Sequence, residues 1–309
     1  MSYRILTDND IAQVSMSAAV ECMEAAFRQH AAGQLVAPGR LESDLGIGRL
    51  VFTTGASSAS PGTIGFRCYD VSQLSSRQRS ELTAVFDAHD GHLKGLVVGP
   101  LLGALRTGAI GGLAVKYMAR ADTNCLGLVG SGFQARTQLA AALAVRDFQT
   151  VKVFSRDAES RSLFAEEMSF RLNSRVQAVE SAQAAVEDAD VVLCTTTSPR
   201  PVIQADWLKP GVHINNVGPK FKDRHELGVD VLARASQVVT DAPAQVEEYG
   251  ERLLLHGTPL APRLETLSSL VVGQGALADA RQQPEVTLFV SLGLAGTEVV
   301  LAERLFELS

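Results

Sequence analysis

In Leu126-Gly127-Leu128-Val129-Gly130-Ser131-Gly132-Phe133-Gln134-Ala135 an apolar run gives way to small residues in the spacing G-x-G-x-x-A. Each position has a physical job. Gly130 permits the tight turn out of a strand, Gly132 lacks the Cβ that would keep a diphosphate off the backbone, and Ala135 lets the next helix pack close. The N–H groups at that helix start, around Phe133 and Gln134, then receive the diphosphate. A second apolar strand at Val151-Lys152-Val153-Phe154 completes a βαβ unit and predicts a dinucleotide site. A glycine-rich structural turn is the plain alternative, and the strand, helix and second strand around the motif favour the nucleotide. At the tip of the second strand an NAD site usually carries Asp or Glu, which accepts from the ribose 2′-OH. Here Ser155 and Arg156 stand at the tip, which suits the 2′-phosphate of NADP, and Asp157 comes late and is placed to cap a helix. The expected cofactor is NADP or NAD, with NADP favoured.

Beyond Ala121 short apolar runs alternate with helical stretches, at Cys125–Val129, Val151–Phe154, Val176–Val179, Val191–Cys194, Val212–Ile214 and Val238–Val239. That alternation predicts a parallel sheet covered on both faces. Ahead of it the texture differs. Thr7 and Asp10 are placed to start a short helix, and a longer one runs from about Ser17 to Ala32, with Val20, Met23 and Phe27 on one face and Gly33 as its stop. Strands are predicted over Arg49–Thr53, Thr63–Tyr69, Leu82–Asp87 and Leu93–Val98. The turn-rich Gly55–Gly62 and a hairpin corner at Asp90-Gly91 separate them. A helix rich in Ala and Gly follows from about Leu105 to Met118. The last segment, from Glu285, contains Thr287-Leu288-Phe289 and then a helix carrying Val299, Val300, Leu301 and Leu305. The fold class expected is α/β, a Rossmann-like parallel-sheet domain joined near residue 120 to an α+β domain.

Of 309 residues 46% are hydrophobic and 20% charged, an ordinary globular texture in a chain long enough for two domains. A formal net charge of -6 gives no broad attraction to nucleic acid or to an anionic membrane. No window reaches the roughly 18 apolar residues of a spanning helix. Met1–Asp10 has no basic region leading into an apolar run, so no secretory signal is expected. Cys22, Cys68, Cys125 and Cys194 form no CxxC or zinc-ribbon pattern and read as reduced thiols of a cytoplasmic chain. Among His30, His89, His92, His213, His225 and His256 there is no HxH or HExxH, so no metal is expected. His213, on a predicted strand beside Ile214, faces either the nucleotide edge or the core.

Further stretches carry a likeness to known proteins. Leu105-Arg106-Thr107-Gly108-Ala109 leads into Ala114-Val115-Lys116-Tyr117-Met118-Ala119 ahead of the glycine motif. Pro210-Gly211-Val212-His213, Glu226-Leu227-Gly228-Val229-Asp230-Val231-Leu232, Thr287-Leu288-Phe289 and Ser291-Leu292-Gly293 follow it. With these the chain resembles, over nearly its full length, the ornithine cyclodeaminase/mu-crystallin family. The resemblance implies a homodimer. Residues 1–120, completed by 285–309, would supply the dimer contact and part of a substrate site, and residues 121–284 would bind the nicotinamide cofactor. It further implies that Arg40 and Arg106 meet a substrate carboxylate and that Asp230 sits beside the reacting α-carbon. Arg67, the third substrate-binding candidate, stands where a lysine is usual, which keeps the charge and removes a group able to shuttle a proton.

Taken by themselves, arginines outside the nucleotide domain suit a small anionic substrate, because guanidinium grips carboxylate bidentately. The family's activities centre on the α-carbon of an amino acid or its imine. The expected reaction is therefore reduction of a small α-imino acid, such as pyrroline-2-carboxylate, to the amino acid. Two alternatives stay open: an ornithine-type cyclodeaminase using catalytic NAD, and an NADPH-binding protein without turnover. The cyclodeaminase also has a glutamate on the strand after Arg40, where this chain offers Arg49-Leu50-Val51-Phe52.

Overall fold

A computed structural model describes residues 3–59, 62–73, 80–274 and 286–308. Ser60 and Pro61, inside the expected turn, and Glu285, the expected start of the terminal segment, lie outside the described residues. The chain begins with β1 (Arg4–Thr7), α1 (Asp8–Ile11), α2 (Met16–Ala31), β2 (Leu35–Val36) and β3 (Leu41–Asp44). Three longer strands, β4 (Arg49–Ser57), β5 (Thr63–Asp70) and β6 (Glu81–Asp87), then β7 (Leu93–Val98), lead to the helix α3 (Leu101–Met118). An alternating run follows: β8 (Cys125–Val129), α4 (Phe133–Val145), β9 (Thr150–Phe154), α5 (Ala158–Leu172), β10 (Val176–Ala178), α6 (Ala182–Val186) and β11 (Val191–Cys194). Next come β12 (His213–Asn216), β13 (Lys220–Phe221), β14 (Arg224–His225), α7 (Val229–Arg234), β15 (Ala235–Thr240) and α8 (Pro243–Tyr249). The chain closes with β16 (Leu264–Thr266), α9 (Leu267–Val271), β17 (Val286–Val290) and α10 (Thr297–Leu308).

The chain separates into two compact units. One holds Met1–Thr107, Ala242–Glu248 and Gly293–Ser309, and the other Gly108–Asp241 and Tyr249–Leu292. The exchange falls inside α3, upstream of residue 120. Its second half belongs with α4, because glycines let the two helices touch: a Cβ on Gly108 would lie 2.6 Å from Thr137, and one on Gly111 2.1 Å from Gln138.

In the first unit the sheet order is β1-β7-β6-β5-β4-β2, with β3 paired to β4. β1 runs parallel to β7 and the other pairs are antiparallel. Period-two alternation splits the strands cleanly. Val51, Thr53, Arg67, Tyr69, Glu81 and Thr83 are buried on one face, where α10 packs. The opposite face is apolar, with Phe52, Cys68, Leu82 and Val98 in one cross-strand row and Phe66, Ala84, Leu96 and Ile5 in the next. The start of α1 is as expected: the Thr7 N–H and Oγ1 both donate to Asp10 Oδ2, at 2.7 and 2.8 Å. α3 begins a turn before the expected Leu105, because the Leu101 N–H donates to Asp8 Oδ1 at 2.9 Å, a cap supplied from far away in sequence.

In the second unit eight strands, all parallel, lie in the order β10-β9-β8-β11-β12-β17-β15-β16. Leu126, Leu128, Leu139, Val151, Phe164 and Met168 form part of its core. The strand order reverses between β8 and β11, and a doubly wound sheet takes its ligand outside the carboxyl ends of the strands at such a point. One expectation is corrected here. The segment 285–309 does not return whole to the first unit: Val286–Val290 is β17, paired between β12 and β15. Its apolar run buries on both faces as a central parallel strand must, and only from Gly293 does the chain rejoin the first unit.

Candidate dinucleotide crevice and arginine cluster

The glycine motif links β8 to α4. Gly130 has φ +112, and a Cβ there would lie 2.7 Å from Thr195 Oγ1 and 2.8 Å from the Thr195 carbonyl, so only glycine fits the turn. Gly132 is the N-cap of α4, and a Cβ on it would meet nothing within 4 Å. Open space therefore lies over the backbone at the helix start. Ala135 is fully buried, and Gln134 Oε1 is a buried acceptor with no hydrogen-bond partner. Phe133 is 38% exposed. A cavity of about 220 Å³ runs along the motif, lined by Gly130, Ser131, Gly132, Ser155 and Arg156 on one side and by Thr195, Thr196, Thr197 and Ser198 on the other. This cradle fits the diphosphate and adjoining ribose of a dinucleotide. The Thr195–Ser198 wall escaped the sequence reading, and its only signal is the run of hydroxyl residues straight after a buried strand.

At the tip of β9 Ser155 Oγ and Ser131 Oγ lie 2.9 Å apart. Asp157 caps α5 by accepting from the Ser160 N–H at 2.7 Å, and these hydrogen bonds hold its carboxyl below the ordinary value. Arg156 is exposed at the rim.

In the first unit three arginines converge. Arg67 and Arg106 are 9% and 4% exposed, and both reach Glu298 Oε1, at 3.0 and 2.7 Å. Arg67 Nε also donates to Glu81 Oε2 at 2.9 Å, and its guanidinium lies 4.3 Å from the Tyr69 ring centre. Burial opposes the Arg67 charge, but Glu298 and Glu81 outweigh it and raise the pKa further. Burial likewise pushes Glu298 up, and Arg106 with Arg67 overcomes that and holds it below its ordinary value. Gly293, at φ +86, marks where Arg40 and Arg106 meet: a Cβ there would lie 2.7 Å from Arg106 Nη1 and from Arg40 Nη2. The Arg40 N–H donates to Gln245 Oε1 at 3.2 Å, which leaves Gln245 Nε2 buried with no hydrogen-bond partner. Thr53, the ladder partner of Arg67, has a buried Oγ1 in the same condition. Unsatisfied buried polar atoms beside guanidinium groups suit a polar ligand. Glu81 and Glu298 were missed in sequence. The available signals are an acid at an inward strand position and an acid inside an apolar helical stripe.

The remaining candidates separate. Asp230 is exposed in the first turn of α7, and its Oδ2 accepts from the Ala205 N–H at 2.8 Å, a contact that ties two surface turns together. Four residues earlier Glu226 is fully buried. Its Oε2 accepts from the Thr196 N–H and Oγ1, both at 2.8 Å, and its Oε1 from Asn216 Nδ2 at 2.7 Å and from the Gly218 N–H. Burial raises the Glu226 pKa against these hydrogen bonds and the charge of Lys220. His213 faces the core. It is fully buried, with Nδ1 3.0 Å from Thr287 Oγ1 and Nε2 2.8 Å from Asn215 Oδ1, and burial lowers its pKa to about 4.

Comparison with known proteins gives the family. The model of the ornithine cyclodeaminase/mu-crystallin family matches residues 4–308. The chain belongs to that family. Among relatives, a Δ1-pyrroline-2-carboxylate reductase of Bacillus cereus is 32% identical over 227 residues, 72% of this chain and 68% of the relative. The structure of Thermococcus litoralis Δ1-pyrroline-2-carboxylate reductase with NADH and L-proline matches 98% of this chain and 96% of that one, with TM-score 0.84 and 28% identity. An archaeal alanine dehydrogenase dimer with bound NAD matches 99% and 96%, with TM-score 0.83 and 26% identity.

Proposed function

We propose that this family member reduces a small α-imino acid of the Δ1-pyrroline-2-carboxylate type to the amino acid, with a nicotinamide cofactor. The observation that carries this reading is a three-arginine cluster, with Arg67 and Arg106 buried and Arg40 half-buried, in a chain that also holds a G-x-G-x-x-A crevice. The relatives named above, reductases of such an imine, support it. When bound, the cofactor would supply hydride to the imine carbon, and a proton from solvent would reach the imine nitrogen, so that a C=N bond becomes CH–NH. Arg40 and Arg106, converging at Gly293, hold the substrate carboxylate, and Arg67 braces the cluster through Glu298 and Glu81. Asp230, which the resemblance would put at the reacting carbon, is exposed and accepts from the Ala205 N–H, and we assign it no step.

The cofactor we propose is NADP. Asp157 spends its carboxylate on capping α5, so the tip of β9 offers Ser155 and Arg156 to a 2′-phosphate and no unengaged carboxylate of its own to a 2′-OH. A cyclodeaminase reading gains nothing from the geometry. Inward-facing Val51 is apolar, and the carboxylates Glu81 and Glu298 are engaged by arginine. We further propose a homodimer through the apolar sheet face of the first unit, where Ile5, Ile64 and Val98 are 55%, 49% and 42% exposed. The archaeal relative, a dimer, supports it. The test is an NADPH and NADH oxidation assay with pyrroline-2-carboxylate, piperideine-2-carboxylate, and pyruvate with ammonia or methylamine. Turnover of a cyclic imine with a lower KM for NADPH is expected. Inactivity on the whole panel with protein that binds cofactor would defeat the reductase, and a clear preference for NADH would defeat the NADP assignment.

A further inference from the structure

We propose that Glu226 is the positioning residue for the nicotinamide-side wall of the dinucleotide crevice, acting through Thr196. This rests on the reading of the crevice as a dinucleotide site. A doubly wound sheet binds one mononucleotide on each side of its switch point. Gly130, Gly132, Ser155 and Arg156, on the β8–β9 side, take the diphosphate and the adenosine ribose, which leaves the nicotinamide half to the β11–β12 side. On that side the cavity wall is Thr195–Ser198, the loop leaving β11.

That loop is held by Glu226. One carboxylate oxygen accepts from the Thr196 N–H and hydroxyl, at 2.8 Å each. The other accepts from Asn216 Nδ2 at 2.7 Å and from the Gly218 N–H, the residues leaving β12. One buried side chain therefore joins the loops of two neighbouring strands at their carboxyl ends. The Thr196 hydroxyl gives its hydrogen to Glu226 and accepts from the Ser198 N–H at 3.2 Å, which sets the course of the wall. The backbone of Glu226 is fixed too: its N–H donates to the Pro219 carbonyl at 2.9 Å and its carbonyl accepts from the Val202 N–H at 2.9 Å. Space is tight, since a Cβ on Gly218 would lie 2.3 Å from Glu226 Oε2. All four groups that face the carboxylate are donors. Glutamine cannot replace it, because its NH₂ would confront donors on one side.

The test compares a whole dinucleotide with its adenosine half. Wild-type protein is titrated with NADPH and with 2′-phospho-ADP-ribose, which lacks nicotinamide. Binding of both establishes the crevice as a dinucleotide site; where neither binds, NADH and ADP-ribose are titrated in their place, and failure of that pair as well sinks the reading before Glu226 is reached. For Glu226→Gln, NADPH affinity should fall about tenfold or more, the worth of one hydrogen bond to a charged group, with the half-ligand changed less than about twofold. Thr196→Val should show the same selective loss at smaller size and Thr196→Ser should restore it, which keeps the test open if Glu226→Gln folds poorly. Equal losses for both ligands in Glu226→Gln and Thr196→Val would reduce Glu226 to general support of the unit. No loss for either ligand would remove it from the site.

Discussion

Arg106→Leu is the perturbation that best separates a substrate site from a structural ion cluster. Arg106 is 4% exposed and lies 2.7 Å from Glu298. Glu298 keeps Arg67 at 3.0 Å. The folding penalty should therefore stay below the about 3–5 kcal/mol of a buried charge stranded without any partner. A substrate carboxylate has no such reserve. Losing one member of a desolvated charge pair costs about 2–5 kcal/mol, which at about 1.4 kcal/mol per decade is roughly 30- to 4,000-fold in kcat/KM. The assay is steady-state oxidation of NADPH with pyrroline-2-carboxylate, alongside a fluorescence titration of NADPH and a thermal melt. The expected result is a loss of kcat/KM in that range with cofactor affinity near normal. Arg106→Lys, which keeps charge and loses the fork, should fall between. Unchanged kcat/KM in a folded Arg106→Leu variant, or a matching loss of cofactor affinity, would refute the reasoning and leave the cluster as a brace.

Gly132→Ala should leave the melting temperature unchanged and weaken NADPH binding at least tenfold, because its Cβ enters open space that the diphosphate needs; Gly130→Val should lose binding and stability together, through φ +112 and contact with Thr195. Asp230→Asn should keep kcat within about twofold of wild type, as befits an exposed side chain; a fall of the ~10²–10⁴-fold typical of positioned proton transfer would return Asp230 to the reaction. The His213 pKa is lowered to about 4 in the folded chain from an ordinary 6.5, so the unfolded chain takes up the proton first as pH falls. Stability from this group is whole above pH 6.5 and drains away toward pH 4, by roughly 3 kcal/mol at the acid end; urea unfolding of wild type and His213→Gln should show a shallower pH slope in the variant, and equal slopes would count against it. If the proposed dimer forms through the apolar sheet face, Phe66→Glu should convert it to monomer in sedimentation; an unchanged dimer would place the interface elsewhere, and a monomeric wild type would defeat the dimer itself.

What could be read from the sequence alone was local. The G-x-G-x-x-A turn, its strand and its helix depend on residues within a few positions of one another, so the pattern carried the βαβ unit without further help. The alternation of β4 to β7 and the helix ending at Gly33 were legible for the same reason. Tertiary structure decided whatever depends on burial and on partners distant in sequence. Asp8 caps α3 from across the first unit, and Glu298 meets Arg67 and Arg106 from the last helix, so neither partnership leaves a spacing to find. The segment Val286–Val290 is apolar enough for either unit, and only its pairing with β12 and β15 chose one. Within Glu226-Leu227-Gly228-Val229-Asp230 two acids look alike on paper. Folding buries the first among four donors and leaves the second in solvent, because the chain turns between them, and desolvation, which no spacing encodes, makes one of them a building block of the crevice wall.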